Sequence, residues 1–428
     1  MYAGKSKNSI FKGLQEYTTV RHRKSIPLSS AIINPSTMRI VIANDQHWPM
    51  KSGVATAART LALGLTRAGH EVLVIAPSQT GGRYAEQDEG YQIVRTRSVR
   101  FPFRQNLRIS VVLEREVRTI LKDFKPDIVH VHTQLGVGLA AIASAGKLSI
   151  PVVATNHVMP ENIIKNVRII TPLAKPVSSI FTRYGMMLYK GASCIIMPTQ
   201  SAIDLFKNAT VDAPLIPISN GIDLLRFRPI APKKSIYDTF QLPTDTPIVS
   251  YIGRLDREKH VHILLHAAKS VLKHHKAHFL IVGDGNATES LEDFAQALGI
   301  ADSITFAGRV SDDDLEQLHR VGDIFVMPSP AELQSLALLE SMASGKPAVA
   351  VGAGALPELC QDGKNGFIVP VDNVRVMSES ITMLVGDEKL RKKFGEQSVR
   401  IAKTHDMKNV IKKFEQLYRR VIASYSKN

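Results

Sequence analysis

The stretch that organises the chain is residues 38–76, which read MRIVIANDQHWPMKSGVATAARTLALGLTRAGHEVLVIA. Short apolar runs at residues 39–43 and 71–76 predict two buried strands. The segment between them predicts a helix, because apolar side chains recur there at i, i+3 and i+4 spacing: Val54, Ala57, Ala58, Leu61 and Leu65. A strand, a helix and a strand in this order predict a parallel sheet with helices on its faces.

The alternation of short apolar runs and amphipathic segments continues along the chain. Two prolines, Pro229 and Pro232, indicate an interdomain linker within residues 220–234. Further strands are predicted at residues 127–131, 151–155, 194–197, 248–252, 278–282, 323–327, 348–351 and 366–369, with helices between them, such as one around 263–272.

The expected architecture is α/β, with two Rossmann-like doubly wound parallel-sheet domains at residues 38–224 and 235–405. Residues 1–37 read as a flexible basic extension, so that Met38 could be the true start. The C-terminal segment, residues 406–428, contains a predicted helix that could cross back to the first domain. The strands of both domains would end at one shared cleft, where ligands bind in sheets of this kind.

The composition is ordinary for a globular α/β protein, with 44% hydrophobic residues in a chain of 428. No apolar run reaches the length of a membrane-spanning helix, and residues 1–30 lack the apolar core of a signal peptide. The two cysteines, Cys194 and Cys360, have no metal-ligand spacing. So few thiols suggest a reducing compartment, and we expect a cytoplasmic protein.

The net charge of +15 lies almost wholly in the first half of the chain. Residues 1–224 carry 27 Lys and Arg against 14 Asp and Glu, whereas residues 225–428 carry 27 against 25. A one-sided basic field attracts nucleic acid, an anionic membrane or an acidic substrate. A well-solvated basic surface is the alternative interpretation.

Two glycine-containing loops are candidate phosphate sites. Residues 253–259, GRLDREK, follow a predicted strand, and Arg254 and Lys259 together could bind a diphosphate. Alternatively, the acidic residues within the same loop neutralise both cations. Gly53, at the start of a predicted helix, would let a phosphate approach the backbone amides, although a tight turn also favours glycine there.

Residues 332–340, ELQSLALLE, carry a second candidate site. Glu340 could accept two hydroxyls of a ribose, and Glu332, on the preceding loop, could meet a sugar ring. The free amides of residues 334–336 at the helix start could hold a phosphate. The alternative is that Glu332 caps the helix and Glu340 faces solvent.

These motifs together resemble the retaining GT-B enzymes of glycosyltransferase family 4, over residues 38 to about 420. The resemblance rests on Glu-x7-Glu after Pro-Ser-Pro at 328–330, on GRL-x3-K upstream, and on NGID at 220–223, VGDG at 282–285 and residues 342–347. It implies a nucleotide-sugar donor as substrate and no cofactor. The residues implied in donor binding are Gly53, Arg254, Lys259, Glu332, Gln334, Ser335, Leu336 and Glu340.

The resemblance also implies catalytic and acceptor-side residues. Arg254, Lys259 and Glu332 would act on the diphosphate and the sugar, with His132 beside the reacting sugar carbon. His157, at the neighbouring strand end, lies on the acceptor side. A histidine such as His130 could instead simply serve a buried backbone carbonyl.

This chain departs from the family pattern at two places. Gln334-Ser335 stands where many relatives carry an aromatic residue and a glycine, and Ser52 stands where many have glycine. These changes leave the donor open between UDP and GDP sugars. Residues 52–54, 132–136 and 156–162 resemble the branch that glycosylates diacylglycerol-type lipids.

Basic residues alternate with apolar ones in two stretches of the first half. Residues 162–190 are one such stretch, and an ordinary core helix with solvated lysines is its alternative interpretation. The pattern suits an anionic membrane, so we expect peripheral binding at its cytoplasmic face. The second stretch comprises Arg95, Arg97, Arg100, Arg104 and Arg108, with Phe101 and Phe103.

The expected function is therefore retaining transfer of a hexose from a nucleotide-diphosphate sugar to a membrane glycerolipid or glycolipid. A GT-B transferase with a soluble sugar or sugar-phosphate acceptor is the alternative. A basic nucleic-acid-binding protein is a distant one, since no aromatic platform for single strands is present.

Metal and dinucleotide chemistry are not expected. Residues 312–314, three aspartates, could suggest a metal site, but Ser311 before them predicts a capped helix start. Residues 283–285, GDG, lack the third glycine of a dinucleotide fingerprint. We therefore expect activity without an obligatory metal.

Overall fold

A computed structural model describes residues 37–50, 52–100, 108–157, 188–206 and 213–426. Residues 1–36 of the predicted extension lie outside this range. So do residues 162–187 of the first basic and apolar stretch, residues 158–162 of the lipid-branch motif, and Phe101, Phe103 and Arg104.

The first domain is built on an eight-stranded sheet of order β10-β9-β8-β7-β1-β2-β4-β3, parallel except for β3 against β4. Its strands are β1 (Arg39–Ala43), β2 (Glu71–Pro77), β3 (Tyr84–Asp88), β4 (Tyr91–Thr96), β7 (Ile128–Val131), β8 (Val152–Thr155), β9 (Cys194–Met197) and β10 (Leu215–Pro217). A separate antiparallel hairpin joins β5 (Ser98–Arg100) and β6 (Arg108–Ser110). The helices are α1 (Gly53–Arg67), α2 (Glu114–Phe124), α3 (Gly136–Lys147) and α4 (Gln200–Leu205).

The second domain is built on a six-stranded parallel sheet of order β13-β12-β11-β14-β15-β16. Its strands are β11 (Ile248–Ile252), β12 (His278–Val282), β13 (Ile304–Gly308), β14 (Ile324–Met327), β15 (Ala348–Val351) and β16 (Gly366–Val369). The helices are α5 (Ser235–Thr239), α6 (Val261–Leu272), α7 (Thr288–Ala297), α8 (Asp312–Val321), α9 (Leu336–Ala343), α10 (Leu356–Leu359), α11 (Val374–Gly386) and α12 (Glu388–Lys403). Short 3-10 turns span Arg257–Lys259 and Ala301–Ser303.

The last helix, α13 (Met407–Tyr425), packs on the first domain although it follows the second. Its apolar face, with Val410, Phe414 and Tyr418, joins the core that includes Ile40 of β1. The chain therefore passes between the domains twice. The first passage includes Ser219, Asn220 and Ile222, and the second includes His405 and Asp406. The two passages pair through a short parallel bridge in which Ile222 N donates to His405 O at 2.9 Å.

Each sheet reverses its strand order at one point, between β1 and β7 in the first domain and between β11 and β14 in the second. In doubly wound sheets, ligands bind outside the carboxyl ends of strands at such switch points. The loop after β1 leads to Gly53 at the start of α1, and the loops after the other three strands carry His132, Arg254 and Glu332. The predicted fold class, two Rossmann-like domains facing a cleft, is confirmed.

One part of the predicted membrane surface is wrong. Arg95 lies in β4 and is 1% exposed, and its guanidinium bonds to Glu86, to Pro77 O and to Trp48 O. Arg108 is also partly buried, because its guanidinium donates to both oxygens of Ser98. Arg97 and Arg100 are exposed, as predicted.

Candidate active site

A cavity of about 880 Å³ lies between the domains and is lined by both. The second domain contributes Arg254, Glu258, Lys259, Glu332 and Glu340, among others. The first domain contributes the start of α1 and the ends of β7 and β8. Among the sequence-predicted residues, Gly53, His157, Gln334, Ser335 and Leu336 also line it, whereas His132 does not.

The loop after β11 presents two cations that are already paired. Arg254 forms ion pairs with Asp256 and with Glu258, the latter at 2.8 Å. The Glu258 side chain is fully buried, and its second oxygen has no hydrogen-bond partner. The alternative raised for this loop, local neutralisation, therefore holds for Arg254 in the ligand-free protein. It does not hold for Lys259, whose partner lies on another loop.

Lys259 Nζ donates to Glu332 Oε1 at 2.6 Å, with both side chains only 12–13% exposed. The contact forms because β11 and β14 are neighbours, so the loops that follow them emerge side by side. The backbone of Glu332 is held from the opposite side, where its carbonyl accepts from Ala355 N at 2.9 Å. The backbone at Gly354 can lie this close to Glu332 because glycine has no side chain: a Cβ there would lie 2.5 Å from Glu332 O.

The start of α9 offers backbone donors toward the cavity. Ser335 caps the helix, and its side chain accepts from Leu338 N. The amides of Leu336 and Ala337 belong to the first turn, where a helix provides no carbonyl partner. One turn further on, Glu340 Oε2 is 3.1 Å from His319 Nε2 and is mostly buried, so it does not simply face solvent.

Gln334 bonds through both ends of its amide to the start of the interdomain linker and to Ser219 just before it. Its oxygen accepts from Asn220 N at 2.8 Å, and its nitrogen donates to Ser219 Oγ at 2.9 Å. Its neighbour Leu333 packs into the core of the first domain, and Leu333 O accepts from Thr199 Oγ1 at 2.9 Å. The loop between β14 and α9, which carries Glu332 and Gln334, is thus anchored in the first domain, a feature that the sequence did not reveal.

The first-domain wall opens at Gly53, the first residue of α1. Ser52 caps this helix by accepting from Ala55 N, and its hydroxyl donates to Gln46 Oε1 at 2.9 Å. A Cβ added at Gly53 would meet no atom within 4 Å. Packing therefore does not require glycine here, which leaves room for a ligand at the positive end of the helix.

Three histidines meet where β7 and β8 end. His132 Nδ1 lies 3.0 Å from His157 Nε2, and the two rings are stacked. His132 Nε2 is buried without a partner. Burial lowers the pKa of His157 to about 4 and that of His132 well below its usual value. Both rings are therefore neutral at pH 7, with His157 facing the cavity and His132 behind it.

His130 lies next to this pair. Its hydrogen-bond partners are side chains, not the buried backbone carbonyl of the alternative interpretation. Its Nδ1 is 2.7 Å from Tyr418 OH, and its Nε2 is 2.7 Å from Thr155 Oγ1. Because Tyr418 belongs to α13, this histidine ties the last helix to the end of the first sheet. Its role is structural.

The first-domain wall carries a charged group that was not predicted from the sequence. Arg59 of α1 binds both oxygens of Asp88 at 2.8 and 3.1 Å and lies 4.6 Å from the Trp48 ring centroid. Arg67, two turns along α1, pairs with Glu89 at 3.2 Å and lies 3.9 Å from Asp223. The spacing of Arg59 and Arg67 along one helix face was the signal available in the sequence.

Two motifs prove to be structural. Ser311 accepts from Asp314 N at 3.0 Å, so the capped helix start is confirmed. Gly283 and Gly285 allow the loops after β11 and β12 to touch, since a Cβ on Gly285 would lie 2.4 Å from Leu255 C. Within the described ranges, no three His, Cys, Asp or Glu side chains cluster as a metal site would require.

Several named proteins have sequences similar to most of this chain. An alpha-monoglucosyldiacylglycerol synthase of Streptococcus pneumoniae is 29% identical over 342 residues, which cover 77% of this chain and 75% of the relative. A GDP-mannose-dependent alpha-mannosyltransferase of Corynebacterium glutamicum is 27% identical over 345 residues, covering 79% and 78%.

The fold is shared with solved glycosyltransferase structures. HepE of Anabaena, solved in complex with UDP-glucose, superposes with a TM-score of 0.70 at 21% identity, covering 90% of this chain and all of HepE. Residues 51–226 match the profile of Glycosyltransferase Family 4, and residues 233–400 match that of Glycosyl transferases group 1. The chain is a glycosyltransferase of family 4 with the GT-B fold.

Proposed function

We propose that the protein transfers a hexose from a nucleotide-diphosphate sugar to a membrane glycerolipid or glycolipid, with retention of the anomeric configuration. The observation that carries the proposal is the cleft shared by both domains, in which Arg254, Lys259 and Glu332 face the open start of α1 and His157. One wall supplies groups for a diphosphate and a sugar, and the other can hold an acceptor.

The donor chemistry requires stabilisation of negative charge as the sugar carbon separates from the diphosphate. Arg254 and Lys259 would bind the phosphate oxygens through charged hydrogen bonds, worth about 1.5–3 kcal/mol each. Glu332 would accept sugar hydroxyls once Lys259 turns to the phosphate, and Glu340 would accept those of the ribose. Gly53 leaves the first domain space to approach the phosphates.

Retention requires that the acceptor attack from the side of the leaving group or that a covalent intermediate form. Three carboxylates that line the second-domain wall are each bonded to a basic partner: Glu258 to Arg254, Glu332 to Lys259 and Glu340 to His319. We therefore assign no nucleophile and give the role of base to the leaving phosphate. His157, neutral and on the cavity wall, would position a hydroxyl near the reacting carbon. His132, which does not line the cavity, would act only through its 3.0 Å contact with His157.

We assign a lipid acceptor partly from the surface of the first domain. Arg97 and Arg100 are exposed there, and Gly136 of α3 contacts Ser110 of the β5–β6 hairpin, which joins these elements into one region. Basic and apolar side chains together suit an anionic lipid surface. The region also exposes five large apolar side chains: Val99, Val111, Leu113, Leu135 and Leu139.

Binding would be peripheral. No helix in the described part of the chain is long and apolar enough to span a bilayer. High salt should reduce co-sedimentation with anionic vesicles strongly but leave a fraction that apolar contacts hold. A Val111→Ser, Leu139→Ser double variant should bind more weakly. Met383→Ser, which replaces an exposed methionine of the second domain, is the matched control. Equal binding to neutral and anionic vesicles would contradict this part of the proposal.

The transfer itself is tested with radiolabelled UDP-glucose and GDP-mannose, supplied with vesicles that contain diacylglycerol or monoglucosyldiacylglycerol. We expect label in the lipid extract from one donor, in an amount that Glu332→Ala abolishes. Label transferred only to soluble sugars or sugar phosphates would replace the lipid acceptor by a soluble one. Steep, salt-dependent duplex binding without any transfer would favour the nucleic-acid alternative.

A further inference from the structure

We call the loop between β14 and α9, which carries Glu332, the donor loop. The residue pair that departs from the family pattern, Gln334-Ser335, lies where this loop meets both passages between the domains. Gln334 contacts the first passage at Ser219 and Asn220. Ser219 Oγ in turn lies 2.9 Å from His405 Nδ1 in the second passage.

The direction of each hydrogen bond follows from the donors available. Asn220 N–H can only donate, so the Gln334 atom facing it is the oxygen, and the amide nitrogen must face Ser219. Ser219 Oγ also accepts from Gly221 N at 3.1 Å. With two bonds accepted, its hydroxyl hydrogen points to His405 Nδ1. Burial lowers the pKa of His405, which favours the unprotonated ring that accepts this bond.

The network lies close to Glu332. Gln334 is two residues along the loop from Glu332, and its side chain is buried. Loss of its two hydrogen bonds would leave the Gln334 amide, whose residue is buried, without these partners and would remove one partner each from the partly buried Ser219 and Asn220, at a cost that favours the bonded arrangement. A shift of the linker therefore moves the loop that carries Glu332.

We propose that Gln334 is a positioning residue that couples the interdomain linker to the donor-sugar loop and so holds Glu332 in place for transfer. This inference rests on the proposed function, because Glu332 is taken there to bind the donor sugar. In this chain, Gln334 thus replaces an aromatic residue of the family pattern with a polar link to the linker. Arg254 and Lys259 lie on a different loop and should still bind phosphate without it.

The test replaces Gln334 by methionine, which keeps the length of the side chain but removes both bonds. The matched control is Gln317→Met, because Gln317 Oε1 accepts from Lys233 N of the same linker at 2.9 Å but belongs to α8, away from the donor loop. Gln334→Glu keeps the acceptor for Asn220 N–H and should retain part of the activity.

We expect Gln334→Met to raise amide hydrogen exchange in residues 331–336 of the ligand-free protein and to lower kcat about tenfold, with the Kd for UDP or GDP changed less than twofold. Gln317→Met should do neither. Unchanged exchange would overturn the coupling, and raised exchange with wild-type kcat would show that the contact only supports the fold. If the wild type transferred no sugar, the proposed function would fail, and the positioning role in transfer would fail with it. A rise in exchange confined to Gln334→Met would then retain only the structural coupling.

Discussion

The ion pair between Lys259 and Glu332 makes a prediction that separates binding from turnover. In the ligand-free protein, Lys259 Nζ is 2.6 Å from Glu332 Oε1, so a diphosphate must compete with this carboxylate for the lysine. Replacing Glu332 by glutamine keeps the shape and one acceptor oxygen but removes the charge. The nucleoside diphosphate should therefore bind the Glu332→Gln variant more tightly, although this variant should turn over far more slowly.

The size of both effects follows from the bonds involved. Lys259 stays charged in this variant, so the substitution keeps a hydrogen bond to the lysine and removes only the attraction between opposite charges, about 1 kcal/mol for a partly exposed pair. A change of about 1.4 kcal/mol would be tenfold in Kd, so we expect an effect of roughly five- to tenfold. If Glu332 accepts two sugar hydroxyls, losing those charged bonds costs about 3 kcal/mol or more, which lowers turnover by about 100-fold or more.

Isothermal titration with UDP and with GDP measures the first effect, and nucleotide release from the sugar donor measures the second. Glu379→Gln is the control, because it removes one negative charge from an exposed pair with Arg375 in the same domain. An unchanged or weaker Kd in Glu332→Gln would refute the competition. Turnover near that of the wild type would refute the role of Glu332 in binding the sugar.

Three further predictions concern binding, metal and pH. Arg254→Lys should weaken nucleoside diphosphate binding about tenfold in calorimetry, because lysine lacks the forked guanidinium that can bind Glu258 and phosphate together. The control Arg257→Lys, at an exposed position, should bind as the wild type does. If Arg254→Lys also bound with the wild-type affinity, Arg254 would be structural. Activity should persist in excess EDTA, and a loss that magnesium or manganese restores would contradict this. The free energy of unfolding should fall as the pH drops from about 6.5 to 4, because burial lowers the pKa of His157 to about 4 and of His130 to about 3. Over that window the unfolded chain binds protons that the folded protein does not, which lowers the free energy of unfolding by up to about 1.4 kcal/mol per pH unit for each histidine. Denaturant titrations that show no such decline would contradict this prediction.

Most strands of the second domain could be predicted because they are short, mostly apolar and largely buried. Those at Ile248–Ile252, His278–Val282, Ala348–Val351 and Gly366–Val369 have the predicted bounds. The edge strand β13 was missed, since four of its five residues are only partly buried and its pattern is not continuously apolar.

In the first domain, the missed strands are β3 and β10 at the two edges of the sheet, β4 beside β3, and the β5–β6 hairpin outside the sheet. β3 carries YAEQD, with both faces partly exposed, and no apolar run marks it. The adjacent β4 buries Arg95, and this is why a residue counted toward a basic surface proved internal. A cation can be buried when several oxygens surround it, and single-sequence patterns do not reveal such partners.

The candidate site could be predicted only in part. The loops that carry Arg254, Lys259 and Glu332 follow predicted strands, so their position at strand ends was accessible from the sequence. The pairing of Lys259 with Glu332 depends on β11 lying beside β14, a strand order that local patterns do not encode. The contact of Gln334 with Ser219 depends on how two domains meet, which is further still from local sequence.

The central claim is that a nucleotide-sugar diphosphate binds in the cleft on the loops after β11 and β14. The most direct test is a crystal structure of the protein with UDP or GDP, whichever raises its Tm more. We expect the diphosphate within hydrogen-bonding distance of Arg254, Lys259 and the amides at the start of α9, with the ribose on Glu340. A nucleotide bound elsewhere, with Lys259 still paired to Glu332 and Arg254 free of phosphate, would contradict the account.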